Sequence, residues 1–348
     1  MAFLIDRDHG GATRDGRSFG AGQASPPAAG LRPAFSVLSA LPDNPVPAGG
    51  RSGVLRTRDG VALRYAVWEP ARRARGTVLL LQGRADFIEK YFETAHELLA
   101  RGYAVATFDW RGQGGSQRLL PDPHKGHVDD FAHYQRDLEA ALGLVAWLRL
   151  PRPFLGLAHS MGAAILLHAL ARQPDLLPAA VLSAPMIRIA PTLKPPAAEA
   201  MTRVAAWAGL RAAPIPGPVS RGKVASEFDP GNLLTSDPVR YARSYAMVTA
   251  APDIALGKPT IGWMQAAFAA MAAFRKPRFA AAIGTPLLTV AGDADQVTAT
   301  PAAIDLAARL PRGEVGVLPG CGHEILLEQD HHRARFWAAF DAFADRPR

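Results

Sequence analysis

Ser160 stands in the stretch AHSMG, residues 158–162, with a small residue two positions before it and another two positions after it. That spacing suits a serine at a sharp turn from a strand into a helix. The backbone is strained at such a turn, and a bulky side chain at either flanking position would clash. The competing reading is a serine that only caps the helix. A hydroxyl held at the turn is a candidate nucleophile if a base takes its proton and an acid orients the base. Downstream, AGDADQV carries Asp293 and Asp295, and GCGHEILLE carries His323. Serine, acid and histidine therefore occur in that order, the latter two just beyond strand candidates, where a parallel sheet places its functional loops. His323 is expected to take the Ser160 proton and later deliver it to the leaving group, and one aspartate to fix the imidazole tautomer. A developing oxyanion needs two main-chain N–H donors. Met161, at the helix N-terminus where the dipole helps, is one candidate. Arg84, in QGRADFIEKY after another strand candidate, is the second, and Gly83 allows the tight turn there. Cys321, two residues before His323, would need a different base and is read as packing.

These residues can meet only if a sheet brings them to one edge. Strands are expected at 77–82, 103–108, 153–158, 179–184, 285–292 and 314–319, and a hairpin in GVLRTRDGVALRYAVW turning at Asp59-Gly60. Helices are expected near 90–101, 131–149, 161–172, 301–310 and 332–344. Short apolar runs alternating with helices indicate a parallel sheet buried on both faces. The uncharged run 153–171 is near the length that spans a bilayer, about 19 residues. It carries two glycines and two histidines and has no second candidate span, so strand, turn and helix is the better parse. The alternation breaks over 188–276, which is rich in proline with helical pieces near 237–248 and 260–274. The chain thus divides into a disordered segment 1–33, a first core part 34–187, an inserted cap 188–276 and a second core part 277–348.

The 348 residues are 49% hydrophobic and 20% charged, which suits a globular enzyme. The net charge of +8 comes from scattered arginines, compatible with contact to an anionic membrane surface. No zinc-finger spacing or aromatic-basic RNA signature is present, so no nucleic-acid partner is expected. No metal cluster or dinucleotide fingerprint occurs, so no cofactor and no metal are expected. With one cysteine, no intramolecular disulfide can form. The opening MAFLI is broken at once by Asp6 and makes a poor export leader, so a cytoplasmic location is expected.

The stretches DWRGQGGS (109–116), PHKGHVDDFAHYQRDL (123–138), AHSMGA (158–163), LSAPM (182–186) and GHEILLE (322–328) together resemble the α/β-hydrolase superfamily, in its monoacylglycerol lipase and bacterial lysophospholipase branch. QGRADFIEKY, RLLPDPHKGHV, NLLTSDPVRYAR and GKPTIGWM are similar to bacterial lysophospholipases associated with the inner membrane. The resemblance spans roughly 34–345. It implies a mostly parallel sheet flanked by helices with an inserted helical cap. It also implies serine hydrolysis of a single-chain lipid ester, and a peripheral place at the inner membrane. The family pattern G-x-x-D, counted from Gly292, puts the acid at Asp295 and leaves Asp293 as a turn residue. Ala158 departs from the glycine of the general elbow. His124, His127, His159, Asp109 and Arg111 fall in matching motifs and are read as holding loops. The Arg84 side chain either binds a substrate phosphate or pairs with Asp86 or Glu89. The alternatives to a lipid esterase are a short-chain carboxylesterase, a serine aminopeptidase and a non-catalytic ligand-binding protein on the same scaffold.

Overall fold

Six apolar runs form the parallel heart of one sheet: β4 (Gly76–Leu81), β5 (Tyr103–Phe108), β6 (Phe154–His159), β7 (Ala179–Ser183), β8 (Leu287–Gly292) and β9 (Gly313–Leu318). Every residue of the first five is buried, as expected where helices cover both faces of a sheet. The computed structural model describes residues 5–6, 31–190, 195–216, 228–229 and 231–346. β2 (Arg51–Arg56) and β3 (Ala62–Trp68) form the expected hairpin, with Gly60 at φ +82° in its turn. A two-residue strand, β1 (Ile5–Asp6), pairs with β2. Among the described residues the strand order is β1-β2-β3-β5-β4-β6-β7-β8-β9, and β1, β2 and β3 run antiparallel to their neighbours.

The segment expected to be disordered, 1–33, thus contributes a short strand at Ile5–Asp6. Arg32 also joins the fold, donating to the Gly114 carbonyl at 3.0 Å. The rest of that expectation, residues 1–4 and 7–30, lies outside the described residues.

Helices α1 (Phe92–Ala100), α2 (Ala132–Trp147) and α3 (Met161–Arg172) connect the first parallel strands. Between β7 and β8 the chain leaves the sheet and forms α4 (Pro195–Trp207), α5 (Pro238–Ala250) and α6 (Ile261–Phe274), the inserted cap. α7 (Pro277–Ala281), α8 (Thr300–Arg309) and α9 (Asp330–Ala344) complete the core. One buried cluster joins the sheet to α2, α3 and α6; the other joins its opposite face to α1 and α9. α4 is a helix that the sequence does not announce, because Pro195-Pro196 reads as a breaker; at the first turn of a helix, however, a missing N–H costs nothing.

Candidate active site

β6 ends at His159 and α3 begins at Met161, so Ser160 alone makes the turn, at φ +48° and ψ −112°. That left-handed conformation is unfavourable for a residue with a Cβ and persists only where the surroundings fix it. The fixing bonds are main-chain: the Ser160 amide donates to the Ser183 carbonyl at 3.0 Å, and Met186 N donates to the Ser160 carbonyl at 3.1 Å. A Cβ on Gly162 would lie 2.5 Å from the carbonyl oxygens of Leu81 and Gln82, so α3 starts against the end of β4. Ala158 is fully buried between Leu81 and Leu182 in register. The small residues flanking the serine thus have physical causes.

His323 Nε2 lies 3.0 Å from Ser160 Oγ, and its Nδ1 lies 2.8 Å from Asp295 Oδ2. With Nδ1–H donating to the carboxylate, Nε2 is left to accept the serine proton. Asp295 Oδ1 accepts the amides of Val297 at 2.7 Å and Thr298 at 2.9 Å, and Oδ2 accepts the Thr298 hydroxyl at 2.6 Å. Burial works to raise its pKa, but the bond and charge of His323 and the Thr298 donors outweigh it and hold the carboxyl below its ordinary value. Asp293 is exposed and accepts the Gly320 amide at 2.6 Å, a turn-holding contact away from His323. The loops after β8 and β9 cross closely: a Cβ on Gly292 would lie 2.1 Å from the Cys321 carbonyl, and Ala294 N donates to that carbonyl at 3.1 Å. The Cys321 side chain is wholly buried, and burial with Glu328 and Asp295 nearby pushes its thiol pKa up, which fits packing. The chain entering the cap runs along the acid-bearing loop, with Ala190 N donating to Val297 O at 2.9 Å and Ala299 N to Arg188 O at 2.8 Å.

Facing the serine, a Cβ on Gly83 would stand 3.3 Å from Ser160 Cβ. The loop Gln82–Asp86 is held by Trp110 Nε1 donating to Gln82 O at 2.8 Å, Gln113 Nε2 to Gly83 O at 2.9 Å, and Gly83 N to Asp86 Oδ2 at 2.7 Å. Ala85 is carried at φ +64°. Among the described residues, neither the Arg84 nor the Met161 main-chain N–H donates to an acceptor.

Behind this loop lies a charged cluster that is not among the candidate residues above. Lys90 Nζ donates to Asp86 Oδ1 at 2.5 Å and to Glu324 Oε1 at 2.7 Å. Tyr91 Oη donates to Asp86 Oδ2 at 2.8 Å, and His159 Nε2 lies 3.4 Å from Glu324 Oε2. Burial lowers the His159 pKa, with His323 and Lys90 acting the same way. The cluster ties together the loops after β4, β6 and β9, the three that carry Arg84, Ser160 and His323. One ligand atom each from Asp86, His159 and Glu324 lie within 4.8 Å of one another, a spacing that could suit a cation. The Lys90 ammonium, bonded to both carboxylates, already supplies that positive charge. A signal was available: Glu324 follows His323 directly, at the head of an apolar run.

The residues read as structural do hold loops. Asp109 accepts Arg64 Nε and Gly115 N, each at 2.7 Å, and Ile88 N at 3.0 Å. Arg111 donates to Asp137 at 2.8 Å and to Asp59 at 2.8 Å. His127 Nδ1 lies 2.8 Å from Thr260 Oγ1, and the exposed His124 accepts the Gly257 amide through its carbonyl at 2.7 Å. For Arg84 neither expected ion pair forms. Asp86 is taken by Lys90 and Tyr91, and Glu89 by Arg64 at 2.7 Å, while Arg84 Nη2 donates to the Gly257 carbonyl at 2.6 Å.

Residues 72–330 match the family described as serine aminopeptidase, S33. Lysophospholipase L2 of Escherichia coli K12 is 31% identical over 289 residues, which cover 79% of this chain and 82% of that protein. A monoacylglycerol lipase of Mycolicibacterium smegmatis is 29% identical over 275 residues, covering 78% and 89%. The solved structure of a soluble variant of monoglyceride lipase from Saccharomyces cerevisiae, in complex with a substrate analog, superposes with a TM-score of 0.67 at 20% identity, covering 85% of this chain and 96% of that one. Sheet order, elbow and family match agree: the chain belongs to the serine aminopeptidase S33 family of α/β-hydrolases, in its lysophospholipase and monoacylglycerol lipase branch.

Proposed function

We propose that this chain hydrolyses the carboxylic ester of lipids with a single acyl chain, lysophospholipid or monoacylglycerol, through an acyl-enzyme on Ser160. The observation that carries the reading is the hydrogen-bonded series Ser160–His323–Asp295, with the Arg84 and Met161 amides left over beside it. Ser160 Oγ attacks the ester carbonyl as His323 Nε2 takes its proton. The oxyanion accepts hydrogen bonds from the two amides. Collapse expels the alcohol, which recovers the proton from His323. Water, deprotonated by His323, then cleaves the acyl-enzyme to release the fatty acid.

Support for a lipid comes from the named relatives and from a cavity of about 580 Å³ beneath the cap, with an apolar wall of Ile187, Met264, Phe268, Met271 and Phe274 beside the charged Arg188, Glu199, Arg275, Asp305 and Arg309. Ser160 and His323 do not line it; it begins one residue beyond Met186, whose amide holds the Ser160 carbonyl. An aminopeptidase would need a carboxylate to hold the substrate ammonium, and the buried carboxylates next to the site, Asp86 and Glu324, are both bonded to Lys90. Among the described residues no helix is long and apolar enough to cross a membrane. Met201, Val204 and Trp207, spaced three apart on α4, and Leu210 just beyond it are all exposed, with exposed Arg203, Arg275 and Lys276 in the same cap. That combination suits peripheral contact with an anionic bilayer at the inner membrane.

The test is turnover by purified protein of monoacylglycerol, lysophosphatidyl lipids, graded p-nitrophenyl esters and an aminoacyl anilide. The expected result is the highest kcat/KM on a long single-chain lipid, lost in Ser160→Ala. Preference for short p-nitrophenyl esters would favour a general carboxylesterase, and cleavage of the anilide alone would overturn the ester reading.

A further inference from the structure

We propose that the Arg84 side chain is a binding site for a phosphate ester carried on the substrate, so that the enzyme reads an anionic head group next to the ester it cleaves. This rests on the ester-hydrolase reading above and names which of its two lipid classes is preferred.

The residue starts at the reacting centre, since Gly83 packs against Ser160. Its side chain then crosses Gly126, where a Cβ would come within 2.5 Å of Arg84 Nη2, and reaches the cap. There Nη2 donates to the Gly257 carbonyl at 2.6 Å, and the guanidinium carbon stands 5.3 Å from the ring centre of Trp263. One carbonyl and one indole face hold the cation in place, but neither carries a negative charge.

A guanidinium has five N–H donors and keeps its charge, and burying it without a counter-charge is costly. Arg84 Nε is shielded from solvent and, among the described residues, has no acceptor. Three other buried or half-buried arginines are compensated by carboxylates: Arg64 by Glu89 and Asp109, Arg111 by Asp59 and Asp137, Arg240 by Glu93 and Asp237. Of the loop's own acids, Glu89 is committed to Arg64, and Asp86, bonded to Lys90 and Tyr91, reaches Arg84 only through its charge and not through a hydrogen bond. Burial lowers the Arg84 pKa to about 10, as expected for a cation short of an anion. Arg32 and Arg118 also bury guanidinium nitrogens without acceptors, but they bond to Gly114, Asp253 and Ala255, away from the loops of Ser160, Asp295 and His323.

A phosphate offers several oxygens to paired guanidinium donors, and a neutral glycerol hydroxyl matches neither that charge nor that geometry. In a lysophospholipid the phosphate sits on the glycerol released by cleavage, a few bonds from the ester oxygen. A monoacylglycerol has only a hydroxyl there.

The experiment compares lysophosphatidic acid with monoacylglycerol of the same acyl chain, as kcat/KM in wild type, Arg84→Gln and Arg84→Lys. The ratio of phosphorylated to neutral substrate should fall roughly ten- to a hundredfold in Arg84→Gln, the scale of lost charge-assisted hydrogen bonds, and recover in part in Arg84→Lys. Inorganic phosphate added to the monoacylglycerol assay separates the sources. Competition in wild type that disappears in Arg84→Gln means free phosphate is bound as well; a ratio change without competition means only the lipid-borne group is held. A binding arm needs no turnover: in the Ser160→Ala protein, the affinity ratio of the non-cleavable ether analogues of the two lipids should fall likewise on Arg84→Gln. If wild type cleaves neither lipid, the ester reading fails and the binding arm still decides the proposal. Ratios that stay the same across wild type and both variants would overturn it and leave Arg84 as a strut between loop and cap.

Discussion

Two cations flank the loop after β4, and they are treated in opposite ways. Lys90, behind it, is enclosed by two carboxylates at 2.5 and 2.7 Å; Arg84, in front, is held by a carbonyl and an indole. The rear arrangement encloses its cation in two carboxylates and fixes three loops relative to one another. The front arrangement is fixed in position but not in charge. The two sit either side of the same short turn.

The chemistry between them sets the scale. Ser160→Ala or His323→Ala should lower turnover by about 10⁴ to 10⁶, because the members of such a series act as a unit. Near-normal ester turnover in either variant would make the comparison irrelevant to catalysis. Asp295→Asn should cost about 10⁴ by favouring the wrong imidazole tautomer, whereas Asp293→Asn should stay close to wild type. The opposite ranking in steady-state kinetics would move the acid to Asp293.

The comparison itself is tested by stability. Lys90→Met strands two buried carboxylates and should cost about 3–5 kcal/mol. Arg84→Gln strands no carboxylate and should cost about 1 kcal/mol, the scale of one hydrogen bond. Urea unfolding of both variants decides, and equal losses would erase the distinction between front and rear. The smallest expected effect concerns a third group of cations, Arg240, Arg243 and Arg333, which converge on Glu93 and fasten α5 to α1 and α9. Burial works to raise the Glu93 pKa, but these arginines bring it from 4.5 down to about 2. Its stabilising share is therefore complete above about pH 4.5 and fades as pH falls toward about 2. Amide exchange in α5 should quicken across that window before the sheet opens, and Glu93→Gln should remove the acid step.

What was legible in the sequence follows from locality. Five of the parallel strands, β4 to β8, are apolar because both faces are buried, so each appears as a run. The elbow is legible because its constraint is steric and acts within two residues of Ser160. The Lys90 cluster is not local: Asp86, His159 and Glu324 come from three loops and meet only when the sheet is assembled. Arg84 shows the same limit. Asp86 and Glu89 are its neighbours in sequence, yet Glu89 turns to Arg64 on β3 and the guanidinium turns to the cap. Pro195-Pro196 misleads because proline obstructs a helix interior but not its first turn.

The stitching of residues 188–190 to residues 297–299 governs how the cap can move. Swinging the cap open at its first residues would tear the Ala190–Val297 and Arg188–Ala299 bonds from the loop that orients His323. Such a movement would disturb the loop whose Asp295 holds His323 Nδ1 at 2.8 Å. On the return limb the Glu93 clamp anchors α5. The chain that follows α4 is in turn bonded to the start of α6, with Gly262 N donating to Arg211 O at 2.9 Å and Ile261 N to Ala213 O at 2.8 Å, so α4 is moored with the rest of the cap and the cap is tied to the very loop it covers.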